Sequence, residues 1–136
     1  LPIYEFETEY GPVMRKHGLD FVFLVTPETS PERIKKVDAL STGFLYAVSS
    51  SSTTGKDKDM GDQEAYFRRL QQMKLRNPVL VGFGIRDKSS FEAACRYANG
   101  AIIGTAYIRA IEQTSDIDAA TKKFLSGIVG AGAMSV

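Results

Sequence analysis

The residues best placed to do chemistry in this chain are small ones. Gly82 and Gly84 close one apolar run, Val79 to Ile85, and Gly104 followed by Thr105 closes the next, Ala101 to Gly104. Glycine lets a backbone approach an anion and offer it N–H groups, and the Thr105 hydroxyl adds a donor. One such glycine alone reads as relief of crowding where a strand ends. Glycines at the ends of two successive strands point to a bound phosphate. The tract from Ser49 to Gly61 is rich in serine and threonine and carries Lys56, Asp57, Lys58 and Asp59, so it cannot pack a core. Its place after a strand reads as a lid over a site rather than as a plain linker. Other reactive types have plainer explanations. His17, the only histidine, follows Arg15 and Lys16 at a helix end, where positive charge complements the helix dipole. Cys95, the only cysteine, sits among Ala93, Ala94 and Ala98 with no histidine nearby in sequence, and reads as a small buried side chain rather than a nucleophile. Glu5, Glu7 and Glu9 read as solvated, and no metal-ligating set is present.

The elements that must position these residues belong to one unit. The chain has 136 residues, 43% hydrophobic and 24% charged, with 17 basic against 16 acidic side chains. That is the composition of an ordinary globular domain, long enough to bury a core. A net charge of +1 leaves no basic stripe for duplex nucleic acid. A lone cysteine cannot form an internal disulfide and fits a reducing, cytoplasmic setting. The longest apolar runs, such as Phe21 to Val25, are far shorter than the roughly 20 residues that span a bilayer. Leu1 is not methionine, and Leu1-Pro2 reads as the tail of an apolar strand, so the chain is expected to be a piece of a longer one.

Along the chain, strand-like and helix-like segments alternate. A helix from about Tyr4 to His17 stops at Gly18, then Asp20 to Val25 reads as a strand buried on both faces. Ser30, Pro31 and Glu32 open a helix to about Ala39. Phe44 to Val48 is a second strand, with a helix from about Asp62 to Lys74. Val79 to Ile85 is a third strand, with a helix capped at Ser89-Ser90, and Ala101 to Gly104 is a fourth. Ala106 to Gly127 is helical with a break near Ser115-Asp116, and Gly127 to Val136 reads as a frayed tail. Four strands each followed by a helix, preceded by one helix, indicate parallel βα units. A dinucleotide fold would put its glycine-rich turn after the first strand, where this chain has Thr26-Pro27-Glu28-Thr29. Glycines at the last two strand ends favour a (β/α)8 barrel, which binds phosphate there.

The segments Tyr46-Ala47-Val48-Ser49-Ser50-Ser51-Ser52-Thr53-Thr54-Gly55, Gly82-Phe83-Gly84-Ile85 and Gly100-Ala101-Ile102-Ile103-Gly104-Thr105-Ala106 resemble, in order and spacing, the sixth, seventh and eighth strand ends of the tryptophan synthase alpha subunit. Leu1-Pro2 with its helix and Phe23 to Ser30 resemble that family's fourth and fifth strand regions. The resemblance runs from Leu1 to about Gly130 and covers the C-terminal half of the barrel, so residues 1–136 are expected to form a half-barrel of strands five to eight. It implies a lyase of tryptophan biosynthesis that cleaves indole-3-glycerol phosphate to indole and glyceraldehyde 3-phosphate by a retro-aldol reaction. The alpha subunit would use no cofactor of its own, and its beta-subunit partner would carry pyridoxal phosphate.

By the same resemblance, Gly55, Gly84, Gly104 and Thr105 would hold the phosphate. Leu24, Tyr46, Phe83 and Ile102 would line the indole pocket, although Leu24 and Ile102 have the pattern of barrel core in any case. Thr54 would support the closed lid. The family's two catalytic carboxylates come from its second and third strands, before Leu1, so none of these residues inherits an acid or base role and the chain alone is expected to be inactive. Where many relatives carry arginine and glycine in the lid motif, this chain has Ser50 and Ser52, which implies altered closure. A half barrel leaves two edges and an inner face uncovered, so self-association is expected. The alternative reading is a non-catalytic half-barrel scaffold with a vestigial phosphate site.

Overall fold

The computed structural model of the chain describes residues 2–48, 60–82 and 84–130. It opens with a continuous helical stretch made of α1 (Ile3–Glu5), a π-helical turn (Phe6–Tyr10) and α2 (Gly11–Lys16). The wide turn has a local cause. Pro12 has no N–H to give, and the Gly11 N–H reaches back five residues to the Phe6 carbonyl instead. Glycine suits that position, because a Cβ on residue 11 would lie 2.7 Å from the same carbonyl oxygen. The stretch ends as expected: Gly18 takes the left-handed conformation (φ 63°), with its N–H on the Arg15 carbonyl and the Leu19 N–H on the Met14 carbonyl. That pair of bonds is the Schellman stop, and His17 is its cap.

Four parallel strands follow, β1 (Phe23–Val25), β2 (Leu45–Val48), β3 (Val79–Gly82) and β4 (Gly100–Ile102), lying side by side in chain order. Between them run α3 (Pro31–Leu40), α4 (Met60–Gln72) and α5 (Lys88–Cys95), and after β4 come α6 (Thr105–Ile111) and α7 (Ile117–Val129). The β1 strand is shorter than its apolar run. Ahead of it, Phe21 exchanges hydrogen bonds with Thr42, and the Phe23 N–H points to the Ser41 hydroxyl, so this chain segment pairs with the α3–β2 loop. The α3 helix starts on Ser30, whose hydroxyl accepts from the Arg33 N–H. The α5 helix is capped by Asp87, not by Ser89. Asp87 accepts from the Ser90 N–H at 2.8 Å while the Ser90 hydroxyl accepts from the Asp87 N–H, a reciprocal box that brings the start forward to Lys88. The break between α6 and α7 lies where expected, with Asp116 capping α7. Gly127 to Val129, read from the sequence as the start of a frayed tail, form the last turn of α7, and Ile128 there is buried.

The alternation along the strands divides the sheet into two faces. Phe23, Val25, Leu45, Ala47, Val79 and Val81 are buried against the helices, packed with Phe6, Ile34, Val37, Leu70 and Ala94. Phe6, Phe21 and Phe23 form an aromatic cluster with ring centroids 4.5–5.0 Å apart, which seats the N-terminal helical stretch on β1. The ladder sets Leu24, Tyr46, Leu80 and Gly100 in one row on the opposite face, and Val48, Gly82 and Ile102 in the next. Leu24 is 62% exposed, so the sequence expectation of burial on both faces is corrected: one face is buried and the other is open.

Candidate functional site

The open face and the carboxyl ends of the strands form the candidate site. Of the residues expected to line an indole pocket, Leu24 and Tyr46 share the first row and Ile102 the second, so all three face the same side across β1, β2 and β4. Phe83 lies outside the described residues, as do Thr54 and Gly55 and most of the 49–61 tract. That tract's last two residues, Met60 and Gly61, already belong to α4.

Gly84 and Gly104 each lie two residues past the register pair Gly82↔Ile102, at the same end of neighbouring strands. Gly84 has φ 80°, a conformation that side chains resist, and a Cβ added there meets nothing within 4 Å. Gly104 also faces open space, without a positive φ, so the protein's own packing does not demand glycine there. It is the N-cap of α6, and no side chain caps that helix, which leaves its first N–H groups available. Thr105, exposed, is the first residue of the same helix.

Gly82, which the sequence marked, and Tyr66 and Arg69, which it did not, give this rim its shape. A Cβ at Gly82 would fall inside the Tyr46 ring, so Gly82 is the seat on which the Tyr46 side chain rests. The contact is diagonal, since Tyr46 pairs directly with Leu80 and reaches the residue two further along. The buried Tyr66 of α4 donates its hydroxyl to the carbonyl of Val25, the last residue of β1, at 3.0 Å. Burial pushes its phenol well above the usual range, so it stays a donor. One turn on, Arg69 donates to the carbonyls of Pro27 (2.8 Å) and Thr29 (3.4 Å), and its guanidinium lies over the Tyr66 ring. Together they fasten α4 to the loop after β1. Glycine before a strand end was a visible signal for Gly82, but neither Tyr66 nor Arg69 carries a local one.

At the other end of the strands, a cavity of about 240 Å³ is lined by Leu70, Lys74, Asn77, Cys95, Arg96 and Asn99, among others. Burial raises the pKa of the half-buried Cys95 thiol, which fits a structural cysteine. Here Asp38, buried, accepts from the backbone N–H groups of Arg76 (2.8 Å) and Asn77 (3.0 Å) and fixes the turn into β3. Among the described residues, no group of three or more His, Cys, Asp or Glu is placed to hold a metal ion. No helix there is long and apolar enough to cross a membrane.

Four parallel βα units with glycines at the carboxyl ends of the last two strands define half of a (β/α)8 barrel, and solved structures bear that out. The chain overlays on a tryptophan synthase A-subunit from the hyperthermophile Pyrococcus furiosus with TM-score 0.73 and 31% identity, covering 96% of this chain and 52% of that one. It overlays on a chain of the tryptophan synthase complex of the same organism with TM-score 0.74 and 30% identity, covering 51% of it. The family model described as tryptophan synthase alpha chain matches residues 1–131, and the chain belongs to that family. The tryptophan synthase alpha chain of Bacteroides thetaiotaomicron is 43% identical over 90% of this chain and 48% of its own length. That of Flavobacterium johnsoniae is 47% identical over 84% of this chain and 46% of its own length. The chain thus spans about half the length of the curated relatives it matches.

Proposed function

We propose that this chain supplies the phosphate-binding rim and part of the indole pocket of a lyase site that cleaves indole-3-glycerol phosphate to indole and glyceraldehyde 3-phosphate. The observation that carries the reading is the adjacency of Gly84 and Gly104 at the ends of neighbouring strands, beside a face shared by Leu24, Tyr46 and Ile102. Backbone N–H groups at these glycines and at the start of α6, with the Thr105 hydroxyl, receive the phosphate. Leu24, Tyr46, Phe83 and Ile102 enclose the ring. Gly55 completes the phosphate cradle, and the 49–61 tract closes over the substrate with Thr54 supporting it.

Retro-aldol cleavage needs a proton delivered to the indole ring and one removed from the glycerol hydroxyl, work for two carboxylates. Among the described residues of the open face none is a carboxylate, so this half binds and orients while the acid and base come from the barrel's other half. The reading includes no cofactor in this chain, a beta-subunit partner carrying pyridoxal phosphate, and a cytoplasmic setting. Titration of the chain with glycerol phosphate tests it: saturable binding, reduced at least tenfold by Gly84→Asp or Gly104→Asp, is the expected result. No binding by the unmutated chain favours a scaffold with a vestigial site, for which the absence of carboxylates on the open face is the supporting observation. Indole production by this chain alone would contradict the assignment of the acid and base to the other half.

A further inference from the structure

The cavity between α4 and α5 lies at the end of the strands away from the glycine rim. Leu70, Lys74 and Leu75 line it from α4 and the turn into β3, and Cys95, Arg96 and Asn99 from the end of α5 and the turn into β4. Asn99 closes it against β3: its N–H donates to the Val79 carbonyl and its side-chain oxygen accepts from the Val79 N–H, both at 2.9 Å. Leu70 and Val79 also belong to the core on the helix-covered face. The cavity is therefore built from two successive βα units of this chain, on the covered side of the sheet and within a paired seam.

Its lining joins apolar walls to positive charge. None of the lining residues is acidic, and Lys74 and Arg96 bring two cations. Both stand just past helix ends, where a cation complements the carbonyl groups of α4 and α5. Each helix end amounts to about half a negative charge, so two full cations leave about one positive charge over. The backbone of Lys74 adds a second reason. It is the one non-glycine residue among those described in the left-handed region, with φ 49°, at a helix-end position that glycine fills without strain. Complementing the dipole does not require a lysine there, because Arg69 already supplies the basic residue of the last turn of α4. Among the described residues the Lys74 ammonium makes no hydrogen bond or ion pair, and the Arg96 guanidinium acts on Glu64 only through its field. We propose that this cavity binds a small metabolite with one oxyanion group, a carboxylate or a phosphate, on an apolar body. The oxyanion lies between Lys74 and Arg96, and the body rests against Leu70, Leu75 and Cys95. A volume of about 240 Å³ exceeds the roughly 150 Å³ that holds benzene, so the body can be as large as an aromatic ring. The inference does not depend on the retro-aldol reading.

Cys95 is the only cysteine and lines the cavity, so its reactivity reports occupancy. Alkylation of the chain by uncharged iodoacetamide, at constant ionic strength, is expected to slow severalfold with millimolar benzoate or phenyl phosphate and not with benzamide. The more protective of the two anions names the natural head group. Lys74→Gly relieves the left-handed backbone while removing a cation. It is expected to raise the urea midpoint of unfolding and yet weaken the anion about tenfold, read as the ratio of alkylation rates with and without ligand. Arg96→Gln should weaken the anion similarly with far-UV circular dichroism unchanged. Gly104→Asp, at the opposite rim, should leave protection of Cys95 intact, which separates failure here from failure of the phosphate rim. No protection by either anion, equal protection by benzamide, or full protection in Lys74→Gly each overturns the proposal. So does a Lys74→Gly chain that is less stable than the original, since the lysine would then serve the fold itself.

Discussion

The two faces of the sheet are built from the same strands, yet they behave as different materials. On the helix-covered face Val25, Leu45 and Ala47 are fully buried, in one core cluster with the helix residues Ile34, Val37, Tyr66 and Leu70. On the open face Leu24 lies between two buried residues, Phe23 and Val25, and is 62% exposed. Alternation therefore assigns one set of side chains to the core and leaves the other set on a face that is open among the described residues. The rim residues that escape this division are those fastened from behind, where Tyr66 and Arg69 hold the loop after β1 to α4.

The sharpest way to break the comparison is to truncate one residue of each face. Ile34→Ala removes a fully buried side chain of α3 and should cost about 2–5 kcal/mol in urea or guanidinium unfolding. Leu24→Ala, on the open face, should cost at most about 0.5 kcal/mol in the monomeric chain. Equal losses would mean that the two faces are not energetically distinct. A smaller effect is expected at the diagonal contact. Gly82→Val displaces the Tyr46 ring and should destabilise by about 1–3 kcal/mol. Combining it with Tyr46→Ala should recover part of that loss, and strict additivity in the double-mutant cycle would show that the two residues do not share space.

Fastening from behind is tested by Tyr66→Phe, which leaves the Val25 carbonyl without its buried donor and should cost about 1 kcal/mol. Its second readout is faster amide exchange confined to the loop after β1. The smallest effect belongs to the α5 cap, far from either face. Hydrogen bonds from Ser90 hold the Asp87 carboxyl below its ordinary 3.8. A depressed carboxylate stabilises the folded state above its unfolded pKa and loses that contribution as pH falls through the folded value. Unfolding curves below pH 3.8 should therefore steepen in their loss of stability for the native chain and less so for Asp87→Asn. Identical acid profiles would count against the cap.

Much of this was legible in advance because the signals are local. Gly18 after Lys16 and His17 announces a left-handed stop, Ser30-Pro31 a start, and the apolar runs a parallel βα order, each within a few residues of the event. Where local reading went astray, a competing partner won. The β1 run was shortened by Thr42 and Ser41, and the α5 start moved to Asp87 because a carboxylate and Ser90 cap reciprocally, whereas a serine one residue earlier in the helix does not. At the site, the glycines at two strand ends were visible as residue types. That Gly82 serves as a seat for Tyr46 was not, because nothing in either segment names the other.

By itself, then, the sequence determined the order and type of the elements, their caps, the glycine-marked strand ends and the likeness to one family, since all of these are written in residue types at short spacing. Only the tertiary structure decided which face stays open, which residues share a row, and what holds the rim. Those depend on strand register and on hydrogen bonds spanning 41 and 42 residues of chain, as from Tyr66 to Val25 and from Arg69 to Pro27. Such contacts exist only after the sheet has formed and α4 has packed back onto it.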